Sequence, residues 1–140
     1  MAAINRKRFL LGVLSGFLVW LLWSGLLNFV VLASRYPVAQ DAGHLLKHQP
    51  YRLFLLTWFL TIFVLSLIAG LFYVWARASL GPGLRTSLTV GPLLALAVAM
   101  PIEVTTSRFT IDHMFTICWL ADLVVGMVLA TLVVGWLYRD

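Results

Sequence analysis

Four long apolar runs dominate this sequence and limit what the chain can fold into. They cover residues 9–33, 54–75, 86–103 and 115–138, and short polar stretches separate them. A helix needs about 20 consecutive apolar residues to cross the hydrocarbon core of a bilayer. We therefore predict an all-α integral membrane protein, built as a single transmembrane four-helix bundle over residues 1–140. None of the runs alternates apolar and polar residues, which excludes a membrane β-barrel.

The composition excludes most classes of soluble protein. Hydrophobic residues make up 62% of the 140 positions and charged residues make up 11%. Soluble domains carry about 45–50% apolar and about 25% charged residues, so this chain has too little polar surface for water. Although the formal charge is +5, we expect no nucleic-acid partner and infer no soluble substrate. The partner that the composition predicts is a lipid bilayer.

Basic residues predict the orientation of the spans, because lysine and arginine favour the cytoplasmic side. With a cytoplasmic N-terminus, six of them face inward and four face outward. The inward set is Arg6, Lys7, Arg8, Arg77, Arg85 and Arg139, and the outward set is Arg35, Lys47, Arg52 and Arg108. The asymmetry predicts that both termini are cytoplasmic, an N-in/C-in topology.

Two short motifs resemble those of a group of small bacterial membrane proteins that have four spans and no assigned activity. The first motif is Tyr73-Val-Trp-Ala-Arg77 with Gly81-Pro82-Gly83 and Arg85-Thr86, and the second is Gly135-Trp-Leu-Tyr138-Arg139. The resemblance covers most of the chain and implies a multi-pass protein of the bacterial inner membrane. Its motifs are topological, so it implies no catalytic or ligand-binding residue.

Asp122 is the one charged residue well inside a predicted span, about 10 Å below Phe115 at 1.5 Å per residue. A charge at this depth costs several kcal/mol unless it is paired, neutralised or hydrated. Asn28 and Ser24 of the first span and Glu103 of the third lie toward the same side of the membrane. These four residues form a predicted intramembrane polar cluster. It is either a proton or cation site, or an interhelical hydrogen bond that holds the bundle.

The three histidines are candidates for a metal or pigment site on the outer face. His44 and His48 are four residues apart, on a short helix expected between Asp41 and Pro50. That spacing suits two ligands of one metal ion, and His113 would be a third if the two outer loops meet. The alternative is an interfacial helix whose histidines face water. No other cofactor is predicted.

Small residues mark the helix faces that we expect to pack closely. Gly12 and Gly16 form a GxxxG motif in the first span, and Gly126 and Ala130 follow Asp122 along one face of the fourth. Such faces bring helices together within one chain or between subunits. Asp112, just before the fourth span, is predicted to cap it.

The sequence contains no nucleophile elbow, phosphate-binding loop or zinc-protease motif, so we expect a protein that is not an enzyme. The main expectation is an accessory or structural subunit that packs against other membrane subunits of a larger complex. One alternative is a small proton- or cation-coupled transporter component that uses Asp122. Another is an outer-face metal or pigment binder that uses the three histidines.

Overall fold

The computed structural model describes residues 5–48 and 51–138, which are helical and contain no strand. The elements are α1 (Arg6–Leu26), a π-helical turn (Leu27–Val31), α2 (Arg35–Asp41), α3 (Phe54–Leu80), α4 (Leu84–Thr106) and α5 (His113–Leu137). Four helices are long and apolar enough to cross a membrane: α1 with its π turn, α3, α4 and α5. The predicted all-α fold with four membrane-length helices is therefore confirmed. Pro50 and Arg139, which the loop-helix and orientation predictions used, lie outside the described residues.

The observed helices differ from the predicted spans mainly at their ends. The first span ends at Val31, whereas α3 extends to Leu80, five residues beyond the predicted second span. The third span covers Leu84–Thr106 and passes through Pro92 and Pro101 without a break. Helix ends are hard to predict because apolar content marks the membrane interior, while the helical backbone continues into the headgroup region.

Hydrogen bonds between distant residues show which helix ends lie together. The backbone N–H of Asn5 donates to the phenol oxygen of Tyr138 at 3.1 Å, so the start of α1 meets the end of α5. On the opposite side of the bundle, Arg35 of α2 pairs with Asp112, the residue before α5, at 2.5 Å. We call these two sides the terminal end and the loop end. The charge count predicts that the terminal end is cytoplasmic.

Helix α5 is the centre of the bundle. It packs against α1, α3 and α4, whereas among the described residues no Cα of α1 lies within 8 Å of a Cα of α4. Small residues permit the close approach of α1: a Cβ added to Gly12 would lie 3.3 Å from Cα of Val134. One added to Gly16 would lie 3.0 Å from the carbonyl oxygen of Ala130. The GxxxG face of α1 therefore packs on α5 of the same chain.

Residues of the two motifs that carry the family resemblance meet at the terminal end. The hydroxyl of the fully buried Tyr73 accepts from the N–H of Gly83 at 2.9 Å and donates to the carbonyl of Gly135 at 3.5 Å. The guanidinium carbon of Arg77 lies 4.8 Å from the ring centroid of Tyr138. These contacts tie the α3–α4 turn to the end of α5. The motif residues therefore have a role in packing.

Candidate functional site

Asp122 of α5 faces α1 and accepts two hydrogen bonds from that helix. Nε1 of Trp20 donates to Oδ1 at 3.1 Å, and Oγ of Ser24 donates to Oδ2 at 2.5 Å. Trp20 is 1% exposed and Ser24 is fully buried, so both donors are closed off from lipid and water. A buried indole N–H or hydroxyl that lost its acceptor would carry the full desolvation cost. The carboxyl group is therefore fixed in position by two donors within the bundle.

A chain of hydrogen bonds continues from Ser24 toward the loop end. Nδ2 of Asn28 donates to the carbonyl of Ser24 at 2.9 Å, and the hydroxyl of Tyr36 donates to Oδ1 of Asn28 at 2.7 Å. Burial raises the pKa of Tyr36 above its usual value of 10.0, so the phenol keeps its proton at neutral pH. Asn28 and Asp122 thus bond to different groups of Ser24, its carbonyl and its hydroxyl, and Tyr36 links Asn28 to α2.

The local sequence of α1 explains this alignment. Trp20, Ser24 and Asn28 are four residues apart and therefore share one helix face. Asn28 is the second residue of the π turn, in which the N–H of Leu32 donates to the carbonyl of Leu27, five residues earlier, at 2.9 Å. A π turn inserts one extra residue into a helix and is frequent at functional sites. Here it ends the span beside Asn28, and the chain turns back into α2.

A cavity of about 840 Å³ lies at the loop end. The π turn, α2, the loop that follows α2, the start of α3 and the loop-end half of α5 line it. Its polar wall consists of Asn28, Tyr36, Gln40, His44 and Asp122, and its aromatic residues include Trp58 and Trp119. Ligand pockets typically have volumes of about 300–1,000 Å³ and mostly apolar walls with a few polar groups. This cavity has the size and the lining of such a pocket.

Glu103 lies apart from the other members of the predicted polar cluster. It is exposed on the last turns of α4 and does not line the cavity. No hydrogen bond within the described residues joins its carboxyl group to Asp122 or Asn28. The reason is the rotation of α4, which buries Ala95, Ala99 and Thr106 and turns Glu103 outward. The cluster therefore contains Ser24, Asn28 and Asp122 without Glu103.

The structure does not assemble the three histidines into one site. The prediction of a short helix after Asp41 is wrong, because α2 ends at that residue and the chain then turns through Gly43, which has a φ of +76°. His44 and His48 follow in irregular backbone, and His113 is the exposed first residue of α5. Among the residues that the structure describes, no group of three His, Cys, Asp or Glu side chains could share a metal ion.

Asp112 caps α5, and this prediction is confirmed. Its side chain accepts from the N–H of Met114 at 3.0 Å and from the guanidinium of Arg35 at 2.5 Å. The bond from Met114 and the charge of Arg35 lower the pKa of this carboxyl group below its usual value of 3.8. The ion pair links α2 to the start of α5. Both helices contribute residues to the cavity wall, so the pair joins two of its walls.

Two members of the site, Trp20 and Tyr36, are not among the residues predicted from the sequence. Trp20 was detectable, because it precedes Ser24 by four residues on the helix face that carries Asn28. Tyr36 was not detectable from spacing, since it lies beyond the π turn on a separate helix. Gly126, predicted as a packing residue, also belongs to the site. A Cβ at this position would overlap the indole of Trp20.

No protein-family model, curated protein or solved structure matches this chain. The resemblance to small bacterial four-span proteins therefore stays a prediction.

Proposed function

We propose that the chain is a non-catalytic accessory subunit that packs against a larger complex in the bacterial inner membrane, with both termini cytoplasmic. The observation that supports this function is the exposed side of α4. Of the four membrane-length helices, α4 has the lowest mean hydropathy, yet its apolar window is no more buried than that of α3. A helix that is less suited to lipid gains from contact with another protein.

The exposed side of α4 carries a regular stripe. Its members are Thr89, Leu93, Leu96, Met100 and Glu103, and all five are exposed. Their spacing of four, three, four and three residues is the seven-residue repeat by which one helix packs its side chains into a neighbour. We call this set the α4 stripe. It fits a transmembrane helix of a partner subunit that crosses α4 at a shallow angle.

The polar residue near the loop end of the stripe indicates what the partner helix carries. Glu103 lies one turn before the end of α4, at Thr106, and presents its carboxyl group to the surroundings. Charged groups in membrane helices favour pairing with another polar group. A partner helix with a basic or hydrogen-bond-donating side chain at that level would satisfy it. The apolar residues of the stripe would then supply the packing.

The test compares the assembly of three variants in the membranes where the protein is naturally expressed. Tagged chains are produced at low level, extracted in mild detergent and separated by native electrophoresis. Wild type should migrate in a complex of fixed stoichiometry. Leu96→Ala and Glu103→Ala should each shift the protein toward the free form. The Glu103 change should weaken assembly by about threefold, the equivalent of about 0.6 kcal/mol for an interhelical hydrogen bond.

The matched control is Leu22→Ala on α1, because Leu22 is 76% exposed and lies outside the α4 stripe. This variant should assemble like wild type. The proposal fails if wild type migrates alone as a monomer. It also fails if Leu22→Ala disrupts the complex as much as Leu96→Ala does.

A further inference from the structure

The cavity at the loop end opens where two packed helices separate. Helices α1 and α3 pack together along the bundle, whereas the π turn that continues α1 lies within 8 Å of α5, measured between Cα atoms, and farther than that from the described residues of α3. Phe29 of the π turn and Leu55 of α3 lie on the cavity wall, and they are 72% and 58% exposed. The cavity therefore opens to the outside between the π turn and the start of α3.

Asp122 keeps unused capacity for hydrogen bonds on the cavity wall. A carboxylate offers about four acceptor positions. Trp20 and Ser24 occupy one position on each oxygen. Asn28 similarly has a second hydrogen on Nδ2 beyond the one that it donates to Ser24. The structural bonds from α1 thus hold the carboxyl group in place and leave it able to receive a ligand.

The charges and rings of the wall favour a positive ligand. Of the described residues that line the cavity, Asp122 is the only acid and no lysine or arginine is present. His44 and Tyr36 are the other titratable residues of the wall. Trp58 and Trp119 add aromatic rings, whose faces attract cations, most strongly where water is excluded. Aromatic rings are the usual means by which proteins recognise ammonium groups, and the acid adds a group of opposite charge.

We propose that this cavity binds a lipophilic cation, with its positive group beside Asp122 and its apolar body against Trp58 and Trp119. The ligand is either an amine-bearing lipid headgroup or a free amphiphilic cation, since both present the same chemistry. The site goes beyond the accessory role and shares no residue with the α4 stripe. It can therefore be tested on the purified chain, and its failure leaves the assembly test unaffected.

The binding experiment uses the full chain in lipid nanodiscs of phosphatidylglycerol, with protein-free nanodiscs as the blank. The probes are tetraphenylphosphonium and tetraphenylborate, which have nearly the same shape and opposite charge. Wild type should bind the cation saturably and at least about tenfold more tightly than the anion. Asp122→Asn should weaken cation binding by at least about tenfold, because it removes the charge that the ligand pairs with.

A second variant tests whether the cation binds in the cavity and leaves Asp122 unchanged. Ala33 lines the cavity and is itself exposed, so Ala33→Trp should block the space while leaving the bundle intact. It should abolish cation binding. Two control variants should bind like wild type. Asp41→Asn removes an exposed acid at the same end of the bundle, and Val38→Trp places an indole on α2 outside the cavity.

A third arm identifies the source of the cation. Adding phosphatidylethanolamine to the nanodiscs should displace the probe if a lipid amine is the natural occupant, and its failure to compete assigns the site to a free cation. Both results support the proposal when the charge preference is present. Equal binding of the two probes would overturn it. Unchanged cation binding by Asp122→Asn or by Ala33→Trp would overturn it as well.

Discussion

Gly126 lies directly under the indole that holds Asp122, which makes Gly126→Ala the sharpest test of the α1–α5 contact. A Cβ at this position would overlap three atoms of the Trp20 indole, including Nε1. Trp20 is 1% exposed and lies in the buried core cluster with Ile62 and Ala95. The alanine must therefore push the ring away from α5, which lengthens the bond from Nε1 to Asp122.

The expected loss of stability follows from three contributions. Overpacking a tight interior costs about 1–3 kcal/mol. Weakening one interhelical hydrogen bond in a membrane costs about 0.6 kcal/mol, and at most about 1.7 kcal/mol. Against these, alanine is a better helix former than glycine by about 1 kcal/mol. The free energy of unfolding of Gly126→Ala should therefore fall by about 1–3 kcal/mol.

The measurement is reversible unfolding in mixed micelles, followed by tryptophan fluorescence or circular dichroism. The matched control is Gly25→Ala on α1. A Cβ there would meet only a ring carbon of Phe29, at 3.8 Å, an ordinary contact distance. This variant should be neutral or stabilised by up to about 1 kcal/mol, because only the helix-propensity gain remains.

A double-mutant cycle shows whether the overlap with Trp20 is the cause. In a Trp20→Val background the clash is absent, so adding Gly126→Ala should no longer destabilise the protein. If Gly126→Ala has the same effect in both backgrounds, the clash with Trp20 is not responsible. If the single variant is as stable as wild type, the close packing of α1 on α5 that we describe is refuted.

Two further predictions concern the carboxyl groups at Asp122 and Asp112. Asp122→Leu leaves both α1 donors without an acceptor and should lower the free energy of unfolding by about 1–3 kcal/mol. Asp122→Asn should cost less than about 1 kcal/mol, because the amide can accept one bond and the Ser24 hydroxyl can accept the other. Equal losses in micelle unfolding would contradict this account. For Asp112, the lowered folded-state pKa means that its stabilising contribution is present above pH 3.8 and is lost as the pH falls through the folded pKa. The thermal midpoint of Asp112→Asn should therefore fall less steeply on acidification than that of wild type. Parallel curves would show that the cap and its pair with Arg35 do not contribute.

The candidate site was only partly predictable from the sequence. Asp122 stood out because a charged residue within an apolar run is unusual, and Ser24 and Asn28 followed from their depth and spacing. Glu103 was expected beside them because it lies toward the same end of the bundle. Depth along a helix does not fix rotation around its axis, and the packing of α4 on α5 turns Glu103 outward.

The cavity could not be predicted from the sequence at all. Its walls come from the π turn, α2, the loop after α2, the start of α3 and α5, which meet only in the folded chain. The helix of the first loop is predicted between Asp41 and Pro50, whereas α2 covers Arg35–Asp41 and ends where the predicted helix begins. Intrinsic helix propensity is a weak signal in such a short segment. The tertiary contacts of Tyr36 with Asn28 and of Arg35 with Asp112 outweigh it.

The sequence by itself determined that four helices of membrane length form and that one carboxyl group lies among them. The physical reason is that the bilayer requires long apolar helices with all backbone bonds satisfied, a constraint that acts on each segment alone. Only the tertiary structure decided that Trp20 and Ser24 hold Asp122, that Glu103 faces outward, and that a cavity opens at the loop end. Those outcomes depend on the rotation of each helix about its own axis and on how closely neighbouring helices approach one another. Contacts between side chains far apart in the sequence set that arrangement, including Gly16 on Ala130 and Gly126 under Trp20.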